Sequence, residues 1–385
     1  MTPAARASAA IDVLDDYLDG MSVEVALTRW GRKSRFAGSS DRAAVRDLVF
    51  DALRCKRSFA ALGGAMSGRG LVLGGIRASG SHVADVFSGE AHAPQPISDA
   101  DDQREPSATE ACDCPEWLVP RLKQTLGDDF TPIMLALRER APVFLRVNLL
   151  KSDVAQAQVA LLSDGIMTEP FGDITACLLV VENTRKILTS QAYLTGLVEL
   201  QDAASQAVIL DLAVQKGARI LDYCAGGGGK TLALAALAQT TVFAHDFNAV
   251  RMKDLPQRAA RSGALVQIVQ DPSTHAPFDL VLADVPCSGS GSWRRDPQGK
   301  WALTETKLAD LIQTQAKILR DVAEFVCPGG TLAYVTCSLL ADENEIQING
   351  FMNAVGGWNL MKTHRFTPLE GGDGFFCAVM KKANS

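Results

Sequence analysis

Short apolar runs recur along the second half of the chain, and each is followed by a stretch with apolar residues at helical spacing. Strand-like runs fall at residues 219–222, 241–246, 266–270, 280–284 and 331–335, with one more expected at 374–381. The helical stretches between them cover roughly 231–238, 249–262 and 305–325. Strands alternating with helices predict an α/β fold built on a largely parallel, doubly wound sheet. Upstream, a strand at 143–148, a helix at 153–162 and a strand at 177–181 predict a small α+β unit ending near Gly196. From there Leu-Val-Glu-Leu-Gln-Asp (197–202) leads into a helix through Leu212.

The first 60 residues read as helices. Asp41 is a candidate cap, and Val45, Leu48, Val49, Ala52, Leu53 and Phe59 follow at helical spacing. Seven glycines between 60 and 80 argue against a continuous helix there. Residues 88–113, rich in Ala, Pro, Ser and acid, have the composition of a linker.

Bulk composition narrows the class. A length of 385 residues, 47% hydrophobic and 21% charged, suits a globular protein of two or three domains. Nine scattered cysteines argue against a disulfide framework and for a reducing compartment. Cys112-Asp-Cys114 is too tight for zinc and lacks a His pair, so no metal is expected. Acidic residues near the start argue against a signal peptide, and no stretch is apolar enough to span a bilayer. The expected location is the cytoplasm. The net charge of −6 is unevenly spread: residues 29–57 hold nine basic side chains against three acidic ones. Arg42, Arg46, Arg54 and Arg57 fall on a different helix side from Val45, Leu48 and Ala52, which predicts an exposed basic stripe facing phosphates. A solvated helix face is the plainer alternative.

Two segments carry candidate chemistry. Residues 219–231, Arg-Ile-Leu-Asp-Tyr-Cys-Ala-Gly-Gly-Gly-Gly-Lys-Thr, read as strand, glycine loop and helix start. Such a loop lets the backbone approach a ligand at a helix N-terminus. The P-loop spacing fails because position 224 is Cys, and the dinucleotide spacing fails because position 231 is Thr. A glycine-rich turn without ligand remains the alternative. Asp246, Asp271 and Asp284 each close a strand-like run, and Asp246 lies where an acidic side chain can bind ribose hydroxyls. Together they suggest an adenosine-containing cofactor. The second segment is a pair of cysteines, Cys287 in Asp-Val-Pro-Cys-Ser-Gly (284–289) and Cys337 in Tyr-Val-Thr-Cys-Ser (334–338). Each follows a strand-like run, 278–283 and 331–335, so both thiols belong at the carboxyl edge of the sheet. Taken singly, each reads first as a small buried hydrophobe, and the glycine loop upstream reverses that reading.

These stretches resemble the RsmB/Sun family of RNA cytosine-5 methyltransferases. The matching segments are 222–231 and 278–291, followed in family order by Arg294-Arg295-Asp-Pro, Lys300-Trp301 and Thr336-Cys337-Ser338. Leu145-Arg-Val-Asn and Glu199-Leu-Gln-Asp-Ala-Ala-Ser resemble the family's extension, so the likeness covers about residues 114–385. Gly227 and Gly228 stand where the family has Ala-Pro, and Asp271 is followed by Pro.

The resemblance implies a class I, Rossmann-like methyltransferase domain at 199–385 and an α+β extension at 114–198. Ahead of them it implies a linker at 88–113 and an all-helical, NusB-like RNA-binding domain at 1–87. It implies S-adenosylmethionine as cofactor, held by Cys224, Ala225, Gly226, Gly227, Gly228, Gly229, Lys230, Asp246, Arg251, Asp271 and Asp284. It also implies Cys337 as nucleophile, Cys287 as the group assisting product release, Asp284 holding the base edge, and Lys230 in the same pocket. RNA is the implied partner, ribosomal RNA first and transfer RNA second. The rival readings are a DNA cytosine-5 methyltransferase, a non-catalytic RNA-binding or assembly factor keeping the fold, and a nicotinamide oxidoreductase.

Overall fold

A computed structural model describes residues 1–384. The chain forms two compact units: residues 1–140 with 293–302, and residues 141–292 with 303–385.

The first unit is helical, and its first five helices are α1 (Pro3–Leu18), α2 (Val23–Lys33), α3 (Ser39–Arg54), α4 (Lys56–Gly63) and α5 (Gly68–Ala78). Ala10, Val13, Leu14, Val45, Val49, Leu53, Leu71 and Leu73 form its apolar core. As expected, no continuous helix spans 60–80: the stretch breaks between α4 and α5, and several of its glycines lie inside those helices. A Cβ at Gly63 would sit 1.8 Å from the Gly70 carbonyl oxygen, and one at Gly74 would sit 1.9 Å from that of Phe59. Close approach of α4 and α5 therefore outweighs the helix propensity lost. Gly74→Ala is expected to destabilise this unit by about 1–3 kcal/mol through overpacking, read by urea denaturation followed by circular dichroism.

Two expectations for this unit are corrected. Gly38, not Asp41, is the residue before α3, because the Asp41 carboxylate is taken by Arg6 and the terminal amine of Met1. The basic stretch is not a free stripe. Arg46 pairs with Glu24, and Arg29 with Asp16. Arg42 donates to the carbonyls of Ala37 and Gly31, and buried Arg54 donates to Asp51 and to the Arg294 carbonyl. Arg32, Lys33 and Arg35 are exposed.

Residues 88–113 lie along the helical unit and contain only short helical turns, Asp99–Asp101 and Ala108–Ala111 among them. Arg69 binds Asp101 and two nearby carbonyls, while buried Asp113 accepts from Ser58 and pairs with Arg138. The Lys300-Trp301 pair also belongs to this unit. Lys300 Nζ donates to the Arg54 carbonyl at 2.9 Å, and the Trp301 indole donates to that of Leu53, at the C-terminal end of α3. Burial lowers the Lys300 ammonium to about 8, although Asp113, Cys55 and Cys114 act to raise it.

The second unit holds two sheets. The smaller is antiparallel, in the order β2-β3-β1-β4, from β1 (Phe144–Val147), β2 (Met167–Pro170), β3 (Cys177–Glu182) and β4 (Val198–Leu200). The larger has seven strands, in the order β10-β11-β9-β8-β5-β6-β7. Its members are β5 (Ile220–Asp222), β6 (Val242–Ala244), β7 (Val266–Ile268), β8 (Phe278–Asp284), β9 (Val326–Thr336), β10 (Trp358–Phe366) and β11 (Phe375–Lys382). Strands β5 to β9 pair in parallel, and β11 runs antiparallel between β9 and β10. This is the doubly wound α/β sheet expected.

Side chains of the central strands are buried on both faces. Leu280 and Leu282 join one core, while Val281 and Ala283 join the other. Such strands read as continuous apolar runs, which explains why the pattern located them. The edge strands β2 and β10, mostly exposed, escaped it. The chain steps from β5 to β6 and β7 on one side, then crosses back to β8 and β9 on the other. The crevice between β5 and β8 is thus the topological switch point, where open α/β sheets hold ligands.

Two helix expectations shift. The helix after β5 spans Gly229–Ala238 rather than starting at Thr231, which places Lys230 in its first turn. The helix expected at 249–262 is broken into a turn, Ala249–Met252, and a helix, Leu255–Ser262. Pro256 sits in the first turn of that helix, where its missing N–H is tolerated.

Candidate active site

At the switch point the glycine loop leaves β5 after Asp222. Gly226 (φ +52°) and Gly228 (φ +82°) adopt left-handed backbone, and Gly228 immediately precedes the helix. A Cβ at Gly228 would lie 2.2 Å from Leu255, so a side chain fits there in neither conformation nor space. Arg258 donates to the Gly227 carbonyl and to Glu199. Beneath the loop, Asp222 is fully buried. Its Oδ2 accepts from the Thr231 hydroxyl at 2.7 Å, and its Oδ1 has no partner. Burial raises this carboxyl to about 7, partly opposed by the Thr231 hydrogen bond. The Cys224 thiol, beside it in sequence, is also pushed up by burial.

Asp246, just beyond β6, accepts from Gly226 N and Asn248 N, each at 2.9 Å, and pairs with Arg251 at 3.2 Å. The loop, Asp246 and Arg251 are thus brought together. Asp271 is not joined to them. It is exposed beyond β7, and its carboxylate accepts from the backbone N–H and hydroxyl of Ser273. Those bonds hold its carboxyl below the usual range. Phe247, absent from the sequence-based candidates, projects fully into solvent between Asp246 and Asn248. An aromatic residue directly after a strand-end acid was the available signal.

On the other side of the switch point, Lys230 Nζ meets Asp284 Oδ2 at 2.8 Å and lies 4.9 Å from the Phe375 ring centroid. Burial opposes the Lys230 charge, but Asp284 outweighs it and the ammonium is held above its usual value. Register between β8 and β9 pairs Asp284 with Val335, and Val285 N donates to the Val335 carbonyl at 3.0 Å. Cys287 and Cys337 follow those residues on the two strands. Gly291 N donates to the Cys337 carbonyl at 2.9 Å, holding the two loops side by side. The two sulfurs lie 3.4 Å apart.

The thiols are not equivalent. The contact with Cys287 lowers the Cys337 thiol below its ordinary value; burial and Asp284 oppose this, and Lys230 and Ser292 assist it. Cys287 is raised well above the ordinary value by the same contact, with burial and Glu343 adding to the effect. The arrangement can therefore present one thiolate, Cys337, next to a neutral thiol that holds a proton. Below both loops lies Glu343, also missed from the sequence, because its partners Ser288 and Gln315 are 55 and 28 residues away.

A family model described as 16S rRNA methyltransferase RsmB/F matches residues 209–381, the segment that contains every residue of this site except Glu199. A second, described as the ferredoxin-like domain of Methyltr_RsmF/B-like proteins, matches residues 114–187. The curated "Ribosomal RNA small subunit methyltransferase B" of Salmonella arizonae is 33% identical over 285 residues, 70% of this chain and 66% of the relative. This chain belongs to the RsmB/F methyltransferase family. Its counterpart in Vibrio cholerae, under the same name, is 31% identical over 70% of this chain and 65% of its own length. The chain thus matches just under two thirds of the length of these relatives.

Solved structures agree on the fold. The crystal structure of PH0851 superposes with a TM-score of 0.77 at 24% identity, covering 99% of both chains. That of NSun6 from Pyrococcus horikoshii with SFG gives 0.63 at 18% identity, covering 70% of this chain and 99% of the other. Among the described residues, no single helix is long and apolar enough to cross a membrane.

Proposed function

We propose that this protein transfers a methyl group from S-adenosylmethionine to carbon 5 of a cytosine in RNA, with small-subunit ribosomal RNA as the favoured substrate. The observation that carries the proposal is the pair of thiols, 3.4 Å apart at the carboxyl edge of the sheet beside the Lys230–Asp284 ion pair. RNA rather than DNA is favoured by the RsmB/F family and its curated relatives, which are ribosomal RNA methyltransferases by name.

The residues around the glycine loop fit the cofactor. Gly226 and Gly228 form a cradle without side chains, and the unpartnered Asp222 Oδ1 offers a buried acceptor to an amino group. Asp246 and Arg251 close the loop on the ribose side, and exposed Phe247 offers a face for a nucleobase. Asp271 is assigned the far, adenine side. When bound, S-adenosylmethionine supplies an electrophilic methyl group.

The protein's own residues supply the rest. Carbon 5 of cytosine is a weak nucleophile, and addition of a thiolate at carbon 6 makes the ring an enamine that can attack from carbon 5. An unperturbed thiol is about 3% thiolate near pH 7, so the lowered Cys337 is the better attacker. Asp284 accepts from the exocyclic amine and directs the base edge. Lys230 holds Asp284 in place and favours the Cys337 thiolate. After methylation carbon 5 must lose its proton and Cys337 must leave. Cys287, alongside, releases its own proton to solvent once Cys337 is tied up as a thioether, and its thiolate then takes the carbon-5 proton as Cys337 leaves. A target base must be unstacked to reach these thiols, which favours single-stranded or remodelled RNA. Residues 1–87 are proposed as a NusB-like helical domain that holds RNA.

Methyl-labelled S-adenosylmethionine incubated with small-subunit ribosomal RNA, transfer RNA or DNA tests the reading. Digestion should return the label as 5-methylcytidine from ribosomal RNA. Label on another atom, or on DNA alone, would overturn it.

A further inference from the structure

Glu343 lies in the turn Ala341–Glu343 after β9, fully buried, with its backbone carbonyl fixed by the Tyr334 hydroxyl at 2.6 Å. Its carboxylate meets four donors. Oε1 accepts from Ser288 N at 2.8 Å and Gln315 Nε2 at 3.0 Å, and Oε2 accepts from the hydroxyls of Ser288 and Ser338. Four donors on two oxygens fill the acceptor capacity of an ionised carboxylate. Ser288 follows Cys287 and Ser338 follows Cys337, so one side chain grips the residue after each cysteine. Gln315 Nε2 extends the brace to the Pro286 carbonyl at 2.9 Å, on the other side of Cys287.

Charge adds to this geometry. Among the described residues Glu343 forms no ion pair, so its negative charge beneath the loops is met only by neutral donors. The charged and titratable groups facing Cys287 are Cys337, Glu343 and Tyr334. Those facing Cys337 are Cys287, Asp284 and Lys230. A carboxylate on the Cys287 side and an ammonium on the Cys337 side divide the pair. The carboxylate disfavours a second negative charge nearby, and the ammonium favours one.

We propose that Glu343 is a positioning residue of this site: it sets the register of the two cysteine loops and keeps the proton on Cys287, so that Cys337 alone is the thiolate. The proposal rests on the reading of Cys337 as attacker and Cys287 as releaser, and adds the group that makes them unequal.

The first arm of the test needs neither RNA nor cofactor. Full-length protein is treated with iodoacetamide between pH 6 and 9, and the rates at Cys287 and Cys337 are quantified by peptide mass spectrometry. In the unsubstituted protein Cys337 should react faster by tenfold or more at pH 7. Glu343→Gln keeps the shape but not the charge, and should cut that ratio at least fivefold by bringing Cys287 reactivity to lower pH. Glu343→Asp keeps the charge and should preserve most of the ratio. An unchanged ratio in E343Q, or equal loss in both variants, overturns the proposal. Should E343Q not fold, Ser288→Ala decides: the ratio should fall at least threefold and kcat about tenfold with KM for RNA unchanged, and no change in either overturns it. Alkylation as expected without any methyl transfer would instead defeat the functional reading and leave the division of the thiols standing.

Discussion

Cys337→Ala should abolish methyl transfer, lowering kcat by about 10⁴-fold or more while S-adenosylmethionine binding stays within a few fold. The expectation follows from where the barrier lies. Without a thiolate on carbon 6 the ring never becomes an enamine, and no other group on this sheet edge can replace it. Asp284 is committed to Lys230 at 2.8 Å, and the Cys287 thiol is held protonated above its ordinary value. The substitution removes a partly buried thiol that lies beyond the β8–β9 pairing and leaves that register intact, so the loss is chemical rather than structural. Single-turnover transfer of labelled methyl to RNA, beside a cofactor-binding titration, separates the two. A Cys337→Ala variant within tenfold of the unsubstituted rate would move the nucleophile elsewhere.

Cys287→Ala should fail in the opposite way. Attack and methylation proceed through Cys337, but the group that assists loss of the carbon-5 proton is gone. The enzyme should stop after a single event, with steady-state turnover down by about 10²–10⁴-fold and most of it joined to RNA. A band of lower mobility on a denaturing gel, dependent on cofactor and removed by ribonuclease, reads the result. The 3.4 Å separation of the sulfurs is what makes this division of labour feasible, since it sets Cys287 within reach of the base that Cys337 holds. Rapid turnover by this variant, or a free enzyme band throughout, would remove Cys287 from the release step. The two cysteine variants thus differ in kind, one silent and one arrested.

Much of this site was legible because parallel strands buried on both faces leave continuous apolar runs. The motifs at the ends of β5, β8 and β9 could therefore be assigned to one edge of a sheet. Residue identity also revealed the glycine loop, since Gly226 and Gly228 need left-handed backbone that few other residues adopt. What could not be read depends on partners distant in the chain. The inequality of Cys287 and Cys337 needs the β8–β9 register and the Lys230–Asp284 pair to become visible. Glu343 looks like one acid among several until Ser288 is seen to lie against it. The basic run at 29–57 suggested a phosphate surface, yet Arg46 and Arg29 are matched by Glu24 and Asp16, which the helical pattern does not pair with them. The glycines at 60–80 do interrupt the helix, but that several of them also lie inside α4 and α5 was not legible, because it depends on close packing against Phe59 and Gly70.

One measurement bears most directly on the claim that Cys337 attacks and Cys287 releases. Small-subunit ribosomal RNA transcribed with 5-fluorocytidine in place of cytidine cannot lose a proton from carbon 5, so the covalent complex should accumulate on the unsubstituted enzyme. After ribonuclease and protease digestion, mass spectrometry identifies the peptide that carries the modified nucleotide. The account predicts the adduct on Cys337, formed only with S-adenosylmethionine present for the methylated species. An adduct on Cys287, or none on either cysteine, would contradict it.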